Sequence, residues 1–409
     1  MKVKSLFLSI CAIAVLASCS KNEDIVTPTG SEAAEAKVTL KLEGDGTATR
    51  AVGDQEAADE TGAAIKNVTV FFFNATGFIV GSPQYIQAAD LGTPITTTTD
   101  AAEVVVIANL GSDQAATTFK NISSLSQLKA LDFSSITDAS GVKSVNQSKD
   151  NLYSSGVGEI TFNDEVGTAT VQLHFVAAKV KTVKITWNAG QNYAATENEL
   201  TTDNTKWFAI KQVYMMTAQT NSPLIPSNTT DASWGGFVPQ AYAFAGGVAW
   251  GATPWTWPTD AGVAPVQTSD YLVTLMPAAT GNAITNVLGE NTAHKAWYMF
   301  ENSPVSGHPT GLVVEVLWRS VDQSTNANDI LTKYFTVYFG EKAGTGTQPL
   351  LKAGNTYDMA IGLKGDFTPG GNAGGGGDDP TKPSVDATVT VTVNAAQWTT
   401  TAEISKDFQ

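Results

Sequence analysis

Residues Asp386–Ala395 read DATVTVTVNA. Val389, Val391 and Val393 alternate with Thr388, Thr390 and Thr392, so an extended chain here has one apolar and one hydroxylic face, as a half-buried β-strand does. In front of it stands PGGNAGGGGDDPTKP at 369–383, a linker composition that is flexible first and stiffer later. A strand alone at the end of such a linker leaves both backbone edges unpaired. It must fold back as an edge strand of its own domain or enter another molecule's sheet, and the second reading is favoured.

The same pattern recurs near the other end of the chain. Lys37–Leu42, KVTLKL, puts Val38, Leu40 and Leu42 on one face, matching the C-terminal strand in period, face and length. Either strand could complete the same open sandwich. GDGTATR at 44–50 and AVGDQEAADETGA at 51–63 follow as polar loop, open to proteolysis. The only arginines are Arg50 and Arg319. Arg319 closes the strand-like run Leu312–Trp318 and should be protected. An arginine-specific protease therefore has one good site, and cutting after Arg50 makes Ala51 the first residue.

Between the two ends, short β-rich runs are separated by turn residues. They are Ile65–Phe73, Phe78–Val80 beyond a turn at 74–77, Glu103–Asn109, and the long run Val171–Trp187, which should bend between two domains. Trp207–Met216, Asp270–Met276, Ala296–Phe300, Leu312–Trp318, Tyr334–Phe339 and Tyr357–Leu363 continue the series. Ile122, Leu125, Leu128 and Leu131 recur at three-residue steps and mark the best helix candidate. Many short strands with little helix indicate sandwiches, not a parallel α/β sheet.

The chain has 409 residues, 42% hydrophobic but only 15% charged, where about a quarter is usual. A net charge of −15 excludes a surface for nucleic-acid phosphates. Three histidines (His174, His294, His308) and two cysteines exclude most His/Cys metal sites and triads, so the chain reads as neither an enzyme nor a holder of metal or cofactor. The glycines of 340–346 lack the Lys-Ser/Thr of a phosphate loop, and the acidic clusters lack calcium-loop spacing.

Residues 1–19, MKVKSLFLSICAIAVLASC, form a secretory signal with Lys2 and Lys4 before an apolar stretch too short to span a bilayer. Its end, Leu16-Ala17-Ser18-Cys19, matches the bacterial lipobox, in which the cysteine is lipidated and becomes the new N-terminus. The alternative is an ordinary cleavage site with a chance cysteine. Cys11 leaves with the signal, so the mature chain has no disulfide and depends on core burial.

Taken in order, these features resemble the fimbrillins, the shaft subunits of Bacteroidales type V pili. The lipobox at Cys19 and the strand-then-arginine prosegment at 38–50 fit that family. Leu173–Val180 (LHFVAAKV) resembles its last N-terminal-domain strand, with His174 where arginine is usual. Tyr298-Met299-Phe300-Glu301-Asn302 resembles its Y-x-x-E-N signature, and Gly354-Asn355-Thr356-Tyr357 its R-N-x-Y element, with Gly354 replacing the arginine.

The resemblance implies an all-β chain of two tandem transthyretin-like β-sandwich domains with few short helices and a C-terminal donor strand. The expected division is a lipoprotein signal at 1–18, a lipidated prosegment at 19–50, sandwiches at 51–183 and 184–368, a linker at 369–384 and the donor segment at 385–409. It further implies a precursor held in the outer membrane by lipid on Cys19. A trypsin-like or gingipain-like protease cuts after Arg50, removing Val38, Leu40 and Leu42. The groove so opened takes Val389, Val391 and Val393 of another copy. Repeated head to tail, the contact builds a fimbrium for adhesion and biofilm formation, with tip and anchor subunits at its ends. Trp234, Trp250, Trp255 and Trp257, in a Gly/Pro-rich stretch, support the alternative of a glycan-binding surface lipoprotein, though they could equally pack a long loop onto a sandwich.

Overall fold

The computed structural model describes residues 33–44, 64–136, 152–187, 190–216, 218–219, 222–225, 244–245, 272–274, 284–288, 296–301, 310–339, 342–343, 346–347, 351–363, 366–380 and 387–395. Strands dominate them, and the fold is all-β.

The first half forms β1 (Glu35–Gly44), β2 (Asn67–Asn74), β3 (Gln84–Gln87), β4 (Ile95–Thr98), β5 (Ala101–Ala108), the short helix α1 (Leu125–Lys129), β6 (Ser154–Asn163) and β7 (Val166–Phe175). Hydrogen bonds join them in the order β3-β2-β5-β6-β7-β1-β4. The β6–β7 hairpin folds the β7-β1-β4 part over the rest, and Val38, Leu42, Val68, Val70, Phe72, Val104, Val106, Ala169, Val171 and Leu173 pack between the two layers. On the outer side of β2 and β5, Phe71, Phe73, Val105 and Ile107 meet Phe119, Leu128 and Phe133. Burial on both faces explains why these two strands read as continuous apolar runs instead of alternations.

The helix expected over 122–131 is shorter than its periodicity. Only 125–129 is helical, started by Ser124, whose side chain accepts from the Gln127 N–H. Leu128 is fully buried, and Leu125 of the helix and Ile122 and Leu131 of the flanking turns pack against the same core. Phe78–Val80, expected as a strand, makes only isolated bridges, Phe73 with Ile79 and Phe78 with Ser124. Asn74 takes up the chain there, its Oδ1 accepting from the Thr76 and Phe78 N–H groups.

The run Val171–Trp187 divides at Val176. β7 ends at Phe175 in the first sandwich, and β8 (Ala177–Trp187) begins the second. There follow α2 (Glu197–Thr202), β9 (Phe208–Met216), β10 (Ala218–Gln219), β11 (Phe244–Ala245), β12 (Leu272–Thr274), β13 (Ile284–Leu288), β14 (Trp297–Phe300), β15 (Gly311–Arg319), β16 (Ile330–Tyr338), β17 (Lys342–Ala343), β18 (Gly346–Thr347), β19 (Asn355–Leu363) and β20 (Ala387–Ala395). One sheet runs β11-β10-β14-β8-β19-β20, with β13 also on β8, and it faces a four-stranded sheet β12-β9-β15-β16. Val180, Val183, Ile185, Phe208, Trp297, Val314, Trp318, Phe335, Met359 and Ile361 fill the space between. In β8 the inward face shifts from Ala178 and Val180 to Val183, Ile185 and Trp187, because Lys181 is an extra residue opposite Tyr357/Asp358.

The Gly-rich run read as a flexible linker is, over 366–380, an ordered strap on the second sandwich. Phe367 and Ala373 are core residues, and the Trp318 indole donates to the carbonyls of Phe367 and Thr368 at 3.1 and 3.2 Å. Tyr334 and Gly377 exchange both backbone hydrogen bonds, and the Thr336 hydroxyl donates to the Pro380 carbonyl at 2.6 Å. Gly376 is required by proximity, since a Cβ there would lie 2.9 Å from both Lys333 and Phe335. The composition was right about turns but hid these contacts.

β6, SSGVGEITFN, had no strand signature because glycines occupy two of its positions. A Cβ on Gly156 would sit 2.1 Å from the Gln172 carbonyl oxygen, and one on Gly158 2.5 Å from that of Thr170. Overpacking of this kind costs about 1–3 kcal/mol or more. Gly156→Val should therefore lower stability by at least about 2 kcal/mol in urea unfolding, whereas Val157→Thr, at a 40% exposed position, should stay within about 0.5 kcal/mol.

Candidate functional site

Two strands of matching pattern stand in different settings. β1 lies inside a sheet. It runs parallel to β7 from Lys37 opposite Val166 to Gly44 opposite Leu173, and antiparallel to β4 from Glu35 opposite Thr98 to Val38 opposite Ile95. Val38 is 0% and Leu42 7% exposed, while Leu40 is half-buried against the same core. The Val38 side chain has room because Gly167 is beneath it. A Cβ on Gly167 would meet Val38 Cγ2 at 2.8 Å and the Phe162 ring at 2.7 Å. Ala169, Val171 and Leu173 continue the inward face of β7, while Ile95 and Thr97 of β4 form the other wall. Without β1 this is a groove with an unpaired edge on each side and the first core exposed between them.

Sequence reading missed the groove walls. VGTATVQL does alternate, but glycine and alanine at the inward positions carry too little apolar bulk to show it, and ITTT at 95–98 has a single apolar residue.

β20 is an edge strand. Among the described residues it pairs antiparallel with β19 alone, from Ala387 opposite Leu363 to Ala395 opposite Asn355. Val389, Val391 and Val393 register with Ile361, Met359 and Tyr357, the β19 residues that face the second core. The strand therefore does not hang free in the single chain. It takes the fold-back arrangement, because β19 would otherwise present an open edge.

Cys19, Arg50 and Ala51 lie outside the described residues, as do Trp234, Trp250, Trp255 and Trp257. Arg319 is 0% exposed. Its Nε donates to the Lys206 carbonyl at 2.9 Å and its Nη2 to the carbonyls of Leu200 and Asp203, so it closes the C-terminal end of α2. Glu301 accepts from the Ala353 N–H at 3.0 Å, next to Gly354, whose φ of +74° suits glycine and whose N–H donates to the Ala177 carbonyl. The Tyr298–Glu301 and Gly354–Tyr357 segments thus meet on β8. Among the described residues no three His, Cys, Asp or Glu side chains are grouped to hold a metal, and no helix is long and apolar enough to cross a membrane.

The described residues thus form an all-β chain with an inserted N-terminal strand and a C-terminal edge strand. Residues 36–175 match the family model of the major fimbrial subunit protein (FimA), and residues 259–398 that of the FimA-like major fimbrial subunit protein, C-terminal domain. The chain belongs to this fimbrillin family. A solved candidate cell adhesion protein from Bacteroides eggerthii shares the fold at 22% identity, with a TM-score of 0.58 over 89% of this chain and 97% of its own. A fimbrilin (FimA) from Porphyromonas gingivalis is similar at 17% identity, with a TM-score of 0.47 over 88% of this chain and 97% of its own. No curated protein matches the chain.

The β19–β20 edge should respond to alkali. Burial pushes the Tyr357 phenol up to about 12, against the pull of the Lys352 N–H and Asn355 amide that donate to its oxygen. Tyr193 and Tyr334 rise to about 12 as well, again chiefly through burial. An unfolded phenol ionises near about 10, so the stability that depends on these neutral phenols is complete below that pH and is lost as pH climbs through 12. Tyr357→Phe should flatten the loss measured by urea unfolding at pH 9, 10 and 11. An unchanged slope would mean that Tyr357 does not contribute to it.

Proposed function

We infer from the family a structural role, that of a fimbrial subunit which assembles with its own kind at the cell surface. We propose that this chain is a shaft subunit polymerised by protease-triggered donor-strand exchange. In this reading the precursor is lipidated at Cys19 and carries β1 as a plug. Cleavage between Arg50 and Ala51 releases the lipid anchor and β1 together, and Val389, Val391 and Val393 of another copy enter the emptied groove. Tip and anchor subunits cap the filament, which mediates adhesion.

The observation that carries the reading is the contrast in pairing. Among the described residues β1 has a neighbour on both sides, whereas β20 has only β19. A strand moving from an edge position into the groove exchanges one ladder for two. Filling the groove also buries apolar side chains worth roughly 1.5–3 kcal/mol each. Covalent loss of β1 removes the competitor, so the exchange runs one way. The burial of Arg319 supports a single processing site, because a protease cannot draw a fully buried, three-times bonded arginine into its cleft.

An arginine-specific protease should cut the native chain once. N-terminal sequencing and intact mass of surface-recovered protein should give a chain beginning at Ala51, without lipid, in high-mass assemblies. Deleting 385–409 should leave cleaved subunits that stay monomeric by sedimentation while keeping native circular dichroism. Filaments from the truncated chain, or lipidated monomers beginning at Cys19, would overturn the proposal.

A further inference from the structure

We infer that the register of the incoming strand is set by a five-position size pattern, with Val391 of one copy seated opposite Ala169 of the next and an alanine at each end of the groove. The inference rests on the strand-exchange reading and adds the contacts that select the partner segment.

Along the inward face of β7 the side chains grow from Gly167 through Ala169 and Val171 to Leu173. In the parallel register these stand opposite Val38, Leu40, Leu42 and Gly44, so the bulky residues of β1 lie over the small end and its glycine opposite Leu173. One further station, Ala36, is 1% exposed and registers with Thr97 of β4. Read at every second residue, the groove is filled by small, large, large, large, small. Ala387, Val389, Val391, Val393 and Ala395 repeat that order at the same spacing, and the intervening Thr388, Thr390 and Thr392 take the stations of Lys37, Thr39 and Lys41.

Other registers fail for identifiable reasons. A slip of one residue turns the threonines inward. A slip of two toward the Leu173 end sets Val393 against Leu173, where β1 has Gly44. A slip of two the other way drives Val389 into the closed station of Ala36. The pattern is also a palindrome, so Val391 keeps the central station whichever way the strand runs, and only its flanks exchange places. Register is therefore fixed independently of direction.

Cross-linking tests this on the full chain bearing Cys11→Ser, Cys19→Ser and Thr168→Cys. Thr168 is exposed on β7 and registers with Thr39 of β1, so the uncut Thr39→Cys/Thr168→Cys chain supplies the control disulfide. The Thr168→Cys chain is cut after Arg50 by an arginine-specific protease in excess synthetic peptide 385–397, bearing one of Thr388→Cys, Thr390→Cys, Thr392→Cys or Asn394→Cys. Directly opposed residues fall within the ~4.4–6.8 Å Cα separation of a disulfide, whereas those two further along stand ~7–8 Å away. With Thr168→Cys, and in a second chain Thr170→Cys, which registers with Lys41, the disulfide should form with the Thr390→Cys and Thr392→Cys peptides respectively if the strand runs as β1 does, or with the two exchanged if it runs in reverse. Any slip of two instead brings Thr388→Cys or Asn394→Cys opposite one of the acceptors. Each expected pair should exceed the Thr388→Cys and Asn394→Cys peptides by about tenfold or more. Preference for one of those two overturns the register. Peptides bearing Ala387→Leu or Ala395→Leu should be taken up at least tenfold more slowly, and equal uptake overturns the size pattern. Absence of uptake for every peptide after complete cleavage overturns the strand-exchange reading itself.

Discussion

The parallel ladder between β1 and β7 is the contact on which the first sandwich depends. β1 joins β7 to β4, and through Val38 and Leu42 it closes the core that Val68, Val70, Phe72, Val104 and Val106 share. Its removal deprives two strands of a partner at once and opens an apolar core between them. Such a state is a template for any chain that can supply a strand. A contact between a groove on one copy and a terminal strand on another is heterologous, and repetition extends it instead of closing it. In the proposed exchange, the strength of the first sandwich before cleavage and its readiness to accept a strand afterwards would have one cause, an interior strand drawn from the N-terminal end of the domain.

The second sandwich is organised the opposite way. Its core lies between β8, β13, β14 and β19 on one side and β9, β15 and β16 on the other, and β20 is added at the margin. The two units are joined by more than the chain at Val176. Phe133 stacks on Tyr153 at 4.6 Å and on Phe300 at 5.6 Å, and Leu224 and Ile225 join the same cluster. The Phe133 N–H donates to the Ser222 carbonyl and the Leu224 N–H to that of Leu131. An apolar junction with its own backbone pairing resists hinge motion better than the polar interfaces common between domains.

Much of this was legible in the sequence, for physical reasons that can be named. Strands with one wet face, such as Lys37–Leu42, declare themselves by alternation. Those buried on both faces, such as β2 and β15, declare themselves by continuous bulk. What stayed hidden was structure made by small residues. Gly156 and Gly158 let β6 approach β7, Gly167 and Ala169 form the groove floor, and Gly376 lets the strap lie on Phe335. Glycine reads as flexibility in one dimension and as close contact in three. The terminal strand was legible as a strand, but its resting partner was not, since Thr/Val alternation fits any sheet edge with an apolar side.

The strap also changes what the two ends can do together. Read as free linker, the chain between β19 and β20 would let the terminal strand roam far from its own domain. The strap is anchored at Gly377 and Pro380, and the residues 381–386 that connect Pro380 to Ala387 can span at most about 25 Å at ~3.3–3.6 Å per residue. The groove that holds β1 is bounded by β7, β7 continues through Val176 into β8, and β8 pairs with β19, which leads into the strap. In a filament built by strand exchange, the body of one subunit would thus be tied to the groove of the next by a short tether. Pull on such a filament would pass along paired backbone between the groove and the strap. Gly376 and Gly377, fitted against Lys333, Phe335 and Tyr334, are what hold the strap to the body of the second sandwich.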